Sequence, residues 1–364
     1  MKLLVISSYL DTWNSVRPEA EMLIELSKLG VHVELITQPD VEYRTRFEES
    51  GIRLHPCHPN KKFEPPVIRQ IRSLLKSGEF DAVYSFNNKA IANANIAAIG
   101  LPVKVLTYRG QTGNINRWDP SCYLTHLNPR VDRIVCVSKA TRDDLQTQVW
   151  GNKQKVCTVY KGHDLAWYQD TPVNLAEFDI PPGAFVVGSV ANVRPRKGLP
   201  VLLKATHLLP AKSNIHLLLV GKGMDSAEIQ GLIQSSPMAD RIHITGFRRD
   251  APAIIAACDA SVLASTKREG LPKTVIESMA YGVTPIVSDT GGSAELIEDG
   301  VSGIRVTPGS AEEIAAAILK LHGSPSDCRT MGLRAKERIN SNFHVRQSAS
   351  ELFRVLQETI NGEF

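Results

Sequence analysis

Two glutamates lie eight residues apart, one before a turn and one inside a predicted helix. Glu269 and Glu277 are joined by a Gly-Leu-Pro turn and the start of a predicted helix, and an apolar run at residues 260–264 precedes them. A helix N-terminus after a strand binds anions, because its free backbone N–H groups and its dipole point at the preceding loop. The two carboxylates could then accept hydrogen bonds from hydroxyls on either side of a bound diphosphate. This chemistry suits a nucleotide sugar.

The same residues allow a purely structural interpretation. Thr274 is followed three residues later by Glu277, which is the spacing of a capping box. In that motif the glutamate satisfies the helix's own free N–H groups and needs no ligand. The segment alone leaves both interpretations open.

Three basic residues follow the apolar run at residues 185–190 and precede another predicted helix. Arg194, Arg196 and Lys197 surround a proline and lie immediately before Gly198. In open α/β sheets, ligands bind beyond the carboxyl ends of the strands, where these cations would neutralise a diphosphate leaving group. A solvated basic loop is the structural alternative.

Two glycine-containing loops follow further apolar runs. Gly221 and Gly223 come after residues 215–220, and glycines at such places let a backbone approach a ligand closely. The third glycine of the dinucleotide fingerprint is missing, so that kind of site is not predicted. The double glycine within residues 288–295 is compatible with a sugar, a phosphate or a tight turn.

Short apolar, β-branched runs alternate with amphipathic helical stretches along the chain, which predicts α/β domains with parallel sheets. A segment at residues 161–184, rich in aspartate and proline, interrupts this pattern before it restarts. We therefore expect two similar domains with their boundary there. The predicted strands are 3–7, 31–37, 82–85, 103–107, 133–137 and 156–160 in the first half and 185–190, 215–220, 243–245, 260–264, 284–288 and 303–306 in the second.

Composition argues against several classes of protein. The chain has 364 residues, 43% of them apolar and 22% charged, as in globular proteins. No run reaches the roughly 20 apolar residues that span a bilayer, and the first residues lack a signal-peptide cleavage site. Six scattered cysteines without a C-x-x-C pair favour reduced thiols in a cytoplasmic protein over disulfides or a metal site. The net charge of +4 is too small to indicate nucleic acid as a partner.

In order and spacing, the motifs resemble the family 4 retaining glycosyltransferases, also called glycosyltransferase group 1. This resemblance implies the GT-B fold, in which two Rossmann-like α/β domains turn their parallel sheets toward a central cleft. It predicts an acceptor-side domain at residues 1–165, a nucleotide-sugar-binding domain at 166–345 and a helix at 346–364 that packs back toward the first domain. The matching segments are Val190-Ala-Asn-x-Arg-Pro-x-Lys-Gly198, Leu219-Val-Gly-x-Gly223, Thr245-Gly-Phe247, Glu269-Gly-Leu-Pro272, Glu277-Ser-Met-Ala-x-Gly282, Pro285-x-Val-Ser-Asp289 and Gly291-Gly-x-x-Glu295.

The resemblance implies a role for each matching residue in transferring a sugar from a nucleoside-diphosphate donor, usually without a metal or other cofactor. Glu277 would bind the ribose hydroxyls and Glu269 the hydroxyls of the donor sugar. Lys197 would neutralise the diphosphate while the glycosidic bond breaks, where fixed positive charge stabilises the transition state most. The other donor-binding candidates are Arg194, Arg196, Gly221, Gly223, Phe247, Arg248, Pro272, Lys273 and Thr274.

The chain departs from the family pattern at three places. Asn192 stands where the family often has an arginine, so Arg194 or Arg196 would take its phosphate role. Residues 11–17 replace a Gly-Gly loop that normally approaches the donor phosphates. Arg109 stands near the place of a cleft histidine, and we take it as a third catalytic candidate beside Lys197 and Glu269, although an arginine cannot act as a general base at neutral pH.

The first half offers two candidate surfaces for the acceptor. Residues 66–76 form a basic amphipathic helix, which suits either an anionic membrane surface or an ordinary helix packed on a sheet. Trp118 and Tyr123 lie in the irregular segment 110–130, where aromatic and amide side chains suit sugar contacts.

The sequence therefore predicts a cytoplasmic retaining glycosyltransferase with a nucleotide-sugar donor and a glycan or lipid-linked acceptor. Its expected pathway is the synthesis of lipopolysaccharide or another cell-surface polysaccharide, with a peripheral contact at the inner face of the cell membrane. Two alternatives keep the fold, namely a nucleotide-sugar epimerase or hydrolase and a degenerate transferase that binds nucleotide without turnover. A periplasmic solute receptor is disfavoured, because it needs an export signal and has no use for both glutamates.

Overall fold

The computed structural model describes residues 1–10 and 13–364. Within these residues the chain forms two compact units, one made of Met1–Gly162 together with Phe343–Phe364 and the other of His163–Asn342. Each unit has a parallel sheet flanked by helices, which confirms the predicted α/β fold class. No helix in the described part of the chain is long and apolar enough to cross a membrane.

The first unit is built on seven parallel strands that are short runs of apolar and β-branched residues, as expected for strands covered on both faces. Its strands are β1 (Lys2–Ile6), β2 (His32–Ile36), β3 (Arg53–His55), β4 (Ala82–Ser85), β5 (Lys104–Arg109), β6 (Arg133–Cys136) and β7 (Val156–Thr158). Their spatial order is β3-β2-β1-β4-β5-β6-β7. Only β3 was not predicted, because three residues at the edge of a sheet are too few to show an alternating pattern.

Helices cover both faces of this sheet. They are α1 (Trp13–Lys28), α2 (Arg44–Glu49), α3 (Pro65–Ser77), α4 (Asn88–Ala97) and α5 (Lys139–Gln146). The apolar side of α3 is buried in the core of the unit through Val67, Ile68, Ile71 and Leu75. The amphipathic pattern of α3 is therefore explained by packing on the sheet.

The second unit repeats the architecture with six parallel strands. They are β8 (Phe185–Val190), β9 (Ile215–Val220), β10 (Ile242–Gly246), β11 (Ala260–Leu263), β12 (Thr284–Ser288) and β13 (Ile304–Val306), in the order β10-β9-β8-β11-β12-β13. The helices are α6 (Leu199–Ala205), α7 (Ala227–Gln234), α8 (Ala251–Ala256), α9 (Lys273–Ala280), α10 (Ser293–Leu296), α11 (Ala311–Gly323) and α12 (Pro325–Asn342). The last helix, α13 (Val345–Asn361), belongs to the first unit and packs on α1.

Candidate active site

The strand order of the second unit reverses between its two central strands, β8 and β11. From β8 the chain continues outward through β9 and β10, and from β11 it continues the other way through β12 and β13. Loops that leave two such neighbouring strands diverge, and the crevice between them is where ligands of this architecture bind. The loop after β8 carries the basic segment 194–197, and the loop after β11 carries Glu269. Topology thus brings two of the predicted motifs together.

A glycine lets these two loops come into direct contact. Gly198 has a φ of +65°, and a Cβ atom at this position would lie only 1.9 Å from the carbonyl oxygen of Ala264. Beside it, the N–H of Thr266 donates to the carbonyl of Arg196 at 2.8 Å. Only glycine satisfies both the backbone angle and the contact. The position of Lys197, the preceding residue, is set by this close approach.

Glu269 collects three hydrogen bonds on one carboxylate oxygen. Its Oε1 accepts from Ser265 Oγ at 2.7 Å, from Lys197 Nζ at 2.8 Å and from Arg196 Nη1 at 3.1 Å. Glu269 is only 4% exposed. Charge-assisted hydrogen bonds in such a weakly solvated place are short and strong, so they hold the carboxylate and both cations in a fixed arrangement. The sequence predicted these residues as partners of a ligand but not as partners of each other.

Ser265 was missed by sequence reasoning, because a serine following a strand carries no distinguishing pattern.

Arg194 was predicted together with Arg196 but has a different environment. The Arg194 side chain is exposed and forms no hydrogen bond or ion pair with the rest of residues 1–10 and 13–364. Arg196 is therefore the arginine that the structure places beside Glu269.

The helix α9 begins at Lys273, and Pro272 is its N-cap without a side-chain hydrogen bond. Thr274 lies inside the helix, and the carboxylate of Glu277 pairs with the ammonium of Lys273 one turn earlier. The capping-box interpretation is therefore wrong, because the threonine is not at the cap and the glutamate binds a side chain. The N–H groups of Lys273 and Thr274 belong to the first turn of α9, where helix geometry supplies no backbone partner. They remain available to an anion.

The loop after β9 packs against the loop after β8. Gly221 has a φ of +151°, and a Cβ there would lie 2.1 Å from the carbonyl oxygen of Ala191. Val193 N–H donates to the carbonyl of Lys222 at 2.9 Å, and a Cβ on Gly223 would touch the Val193 side chain at 3.2 Å. Both glycines thus join two loops of the crevice to each other.

Phe247 and Arg248, two of the predicted donor-binding residues, differ in how far other side chains engage them. Phe247 is 53% exposed, and the ammonium of Lys222 lies 4.8 Å from the centre of its ring. Arg248 donates two hydrogen bonds to Asp250, at 2.8 and 2.6 Å, and pairs with Glu177 at 3.2 Å. The hydrogen bonds to Asp250 raise the pKa of Arg248. The exposed phenylalanine is the more accessible of the two.

Three buried hydroxyls lie at the end of β12, in the loop that follows it and at the start of α10. Ser288, Thr290 and Ser293 are each less than 7% exposed, and their hydroxyl oxygens have no hydrogen-bond partner among the described residues. The same loop approaches Glu269, since the N–H of Gly292 donates to the Glu269 carbonyl at 3.4 Å. Buried polar groups without a partner are uncommon in folded proteins and require an explanation. The sequence pointed to this loop through its double glycine but not to the hydroxyls.

Arg109 belongs to the first unit and ends β5. Its guanidinium donates to the carbonyl of Gly113, and burial lowers its pKa. Nearby, the fully buried His126 contacts Thr107 Oγ1 through Nδ1 at 3.0 Å. Burial, and secondarily the charge of Arg109, lowers the pKa of His126 to about 3. His126 was assigned no role from the sequence, because its approach to Arg109 exists only in the fold.

Two further predictions concern the first loop and metals. The departure at residues 11–17 lies partly outside the described residues, since Asp11 and Thr12 are not among them. In the described ranges, no group of three or more histidine, cysteine, aspartate or glutamate residues is placed to hold a metal ion.

Family models match both halves of the chain. Residues 170–338 match "Glycosyl transferases group 1", and residues 20–167 match "Glycosyltransferase Family 4". The chain belongs to these glycosyltransferases. Membership confirms the family that the sequence motifs predicted, and the model of the second half includes the residues around Lys197, Glu269 and Glu277.

Two relatives of this glycosyltransferase are named for lipopolysaccharide core and amylovoran biosynthesis. The lipopolysaccharide core biosynthesis glycosyltransferase LpsE of Rhizobium meliloti is 28% identical over 58% of this chain and 60% of its own length. The amylovoran biosynthesis glycosyltransferase AmsK of Erwinia amylovora is 27% identical over 46% of this chain and 44% of its own length. The matched segment thus spans 60% or less of either relative.

A solved structure shares the fold over nearly the whole chain. HepE of Anabaena, determined in complex with UDP, superposes with a TM-score of 0.78 at 21% identity and covers 98% of this chain and 100% of its own. The likeness confirms the GT-B fold expected for a group 1 glycosyltransferase.

Proposed function

We propose that this glycosyltransferase moves a sugar from a nucleoside-diphosphate sugar to a glycan or lipid-linked acceptor, with retention of anomeric configuration. The observation that carries the proposal is the pairing of Lys197 and Arg196 with Glu269 at the strand-order reversal of the second unit. Two cations around one carboxylate leave a net positive charge for the diphosphate. The N-terminus of α9 adds free N–H groups for phosphate oxygens.

In the proposed reaction the bond between the anomeric carbon and the β-phosphate oxygen breaks, and that oxygen keeps the electron pair. The acceptor hydroxyl oxygen bonds to the anomeric carbon on the same face and passes its proton to the leaving phosphate. Lys197 and Arg196 stabilise the negative charge that develops on the phosphate, and stabilisation of this kind is usually the largest single contribution to catalysis. Because these cations supply that charge, we propose that the reaction needs neither a metal nor a cofactor.

Glu269 has two roles in this proposal. It positions Lys197 and Arg196 through Oε1, and its second oxygen accepts hydrogen bonds from the donor sugar. The buried hydroxyls of Ser288, Thr290 and Ser293 would add polar contacts in the same region, which accounts for their lack of partners in the described protein. Glu277 would bind the ribose and Phe247 the base.

The known relatives support the choice of donor and pathway. HepE is described in complex with UDP and with UDP-glucose, so a UDP-sugar is the first donor to test. LpsE and AmsK are named for lipopolysaccharide core and amylovoran biosynthesis, which supports a cell-surface glycan as the product. We propose that the enzyme works in the cytoplasm at the inner face of the cell membrane.

Thermal unfolding of the purified protein with UDP, GDP, ADP or CMP tests the donor site directly. A ligand present at about 100 times its dissociation constant adds roughly 2.7 kcal/mol of stability, which gives a clear shift in Tm. We expect one diphosphate to stabilise the protein, with the same shift in the presence of EDTA. Stabilisation by none of them would overturn the proposal, because a working donor site must bind its nucleoside diphosphate. Donor breakdown or epimerisation that needs no acceptor would favour the epimerase or hydrolase alternative.

A further inference from the structure

The first unit exposes four large apolar side chains, Phe63, Trp118, Leu124 and Trp150, which we call the tryptophan patch. Their exposed fractions are 64%, 76%, 51% and 55%. Isolated apolar residues are common on protein surfaces, whereas grouped ones with aromatic rings mark sites of interaction. None of these residues is used by the proposed donor site.

The rings of the patch are held in place by specific contacts. The indole N–H of Trp150 donates to the hydroxyl of Tyr123 at 2.9 Å, and that hydroxyl donates to the carbonyl of Arg117 at 2.9 Å. The ring of Trp118 meets the ring of Trp150 edge-on, with 5.7 Å between their centres. The guanidinium of Arg117 lies 4.6 Å from the centre of the Trp150 ring. The hydroxyl of Tyr123, a residue for which the sequence suggested sugar contacts, thus supports Trp150.

Two buried asparagines of α4 anchor the segments that carry the other members of the patch. Asn93 donates to the carbonyl of Lys61 at 2.7 Å and accepts the N–H of Glu64 at 3.0 Å, so it holds the turn that contains Phe63. Asn95 donates to the carbonyls of Leu124 and Thr125 at 3.2 and 3.0 Å. Because one helix fixes both segments, the exposure of Phe63 and Leu124 is a property of the fold.

Positive charge accompanies these apolar residues. Lys61 and Lys62 are exposed beside Phe63, and Arg117 lies on the Trp150 ring. The nearby carboxylate of Asp119 accepts the N–H of Ser121 at 2.9 Å. Exposed tryptophans together with lysine and arginine are typical of surfaces at a membrane interface, where the rings lie at headgroup level and the cations meet lipid phosphates.

We propose that the tryptophan patch docks this glycosyltransferase on an anionic lipid bilayer. The sequence suggested the basic helix α3 for such a contact. However, the apolar side of α3 is buried, and its Arg72 donates to the carbonyls of Ala97 and Ile99 at 2.8 and 2.7 Å. The patch supplies the exposed apolar component that α3 lacks. This inference deepens the proposed function. It rests on that function in one respect, namely that a lipid-linked acceptor lies at a membrane.

Sedimentation with lipid vesicles tests the proposal without donor or acceptor, so it can fail independently of the donor site. The vesicles contain phosphatidylcholine alone or an equal mixture with phosphatidylglycerol. The matched variants are Leu124→Glu in the patch and Leu333→Glu in the second unit, since Leu333 is 56% exposed and lies outside the patch and the donor site. Lys62→Glu is compared with Lys212→Glu, a substitution at an exposed lysine of the second unit.

We expect the protein to bind the anionic vesicles, less tightly as salt rises, and not to bind phosphatidylcholine alone. Leu124→Glu and Lys62→Glu should each lower the partition coefficient by about tenfold or more, because each places negative charge at an anionic surface. Leu333→Glu and Lys212→Glu should bind like the unchanged protein.

Three results would overturn the proposal. The first is absence of binding to either vesicle type, as expected if the patch recognised a soluble glycan. The second is equal loss in patch and control variants. The third is a concentration-dependent dimer that Leu124→Glu dissociates, which would assign the patch to a second copy of this chain. Trp118→Glu gives an independent check, because a side chain that is 76% exposed can be replaced with little effect on folding.

Discussion

The ammonium of Lys197 lies 2.8 Å from Oε1 of Glu269, although 72 residues separate them in the chain. Arg196 reaches the same oxygen, so one carboxylate orients two cations. The arrangement keeps both cations in place without neutralising them completely, and the remaining positive charge favours an anionic ligand. This pairing is the basis of the first prediction.

Lys197→Ala should lower kcat far more than it weakens binding of the donor. The lost charge is the one that meets the leaving phosphate, where charge develops in the transition state, and we expect a fall in kcat of about 10²–10³-fold. Initial rates and nucleotide-sugar affinity measure the two effects separately. Lys204→Ala, at an exposed lysine on α6, is the matched control. Unchanged turnover in Lys197→Ala would remove the residue from the mechanism.

Glu277→Gln should weaken nucleotide binding by about tenfold with little effect on the ligand-free protein. The substitution removes a charge-assisted contact to ribose, whereas the amide oxygen of glutamine keeps an acceptor for Lys273 within α9. Isothermal titration gives the affinity, and thermal unfolding without ligand gives the stability. Glu337→Gln, at an exposed glutamate of α12, serves as the comparison. A large loss of ligand-free stability would show that Glu277 is chiefly structural.

Gly198→Ala should destabilise the second unit by about 3 kcal/mol or more. The added Cβ would lie 1.9 Å from the Ala264 carbonyl oxygen, so the loops carrying Lys197 and Glu269 must separate. Gly300→Ala is an informative control, since Gly300 has a similar φ of +73° but no atom within 4 Å of the added Cβ. Urea unfolding of both variants distinguishes the clash from backbone strain. Equal losses of stability in Gly198→Ala and Gly300→Ala would show that the close approach of Gly198 to the Ala264 carbonyl does not matter.

His126 should make the first unit less stable in acid. Its pKa is about 3 in the folded protein, because burial and then the charge of Arg109 oppose protonation, compared with about 6.5 when unfolded. The stability associated with the neutral ring is complete above about pH 6.5 and is lost as the pH falls toward 3. Between pH 7.5 and 5 this amounts to about 2 kcal/mol.

Urea unfolding at the two pH values, compared between the unchanged protein and His126→Asn, measures this contribution. The variant should lose about 2 kcal/mol less than the unchanged protein on acidification, because asparagine does not titrate. His207→Asn, at an exposed histidine, should behave like the unchanged protein. If the stability of His126→Asn depended on pH as strongly as that of the unchanged protein, the acid sensitivity could not be assigned to His126.

Most of the fold was predictable because its signals are local. The strands are continuous apolar runs and the helices repeat every three to four residues, so both are visible in short windows of sequence. The capping box failed for an equally local reason. Thr274 and Glu277 have the right spacing, but α9 begins one residue before the threonine, and sequence patterns locate helix ends only approximately.

The sequence by itself determined the fold class, the family and the segments that carry Lys197, Glu269 and Glu277, because periodicity, turn residues and motif spacing are properties of neighbouring residues. Only the tertiary structure decided that Lys197, Arg196 and Ser265 share one oxygen of Glu269. It also decided that Tyr123 supports Trp150. Contacts of this kind depend on the order of strands in a sheet and on close backbone approaches, which join residues far apart in the chain.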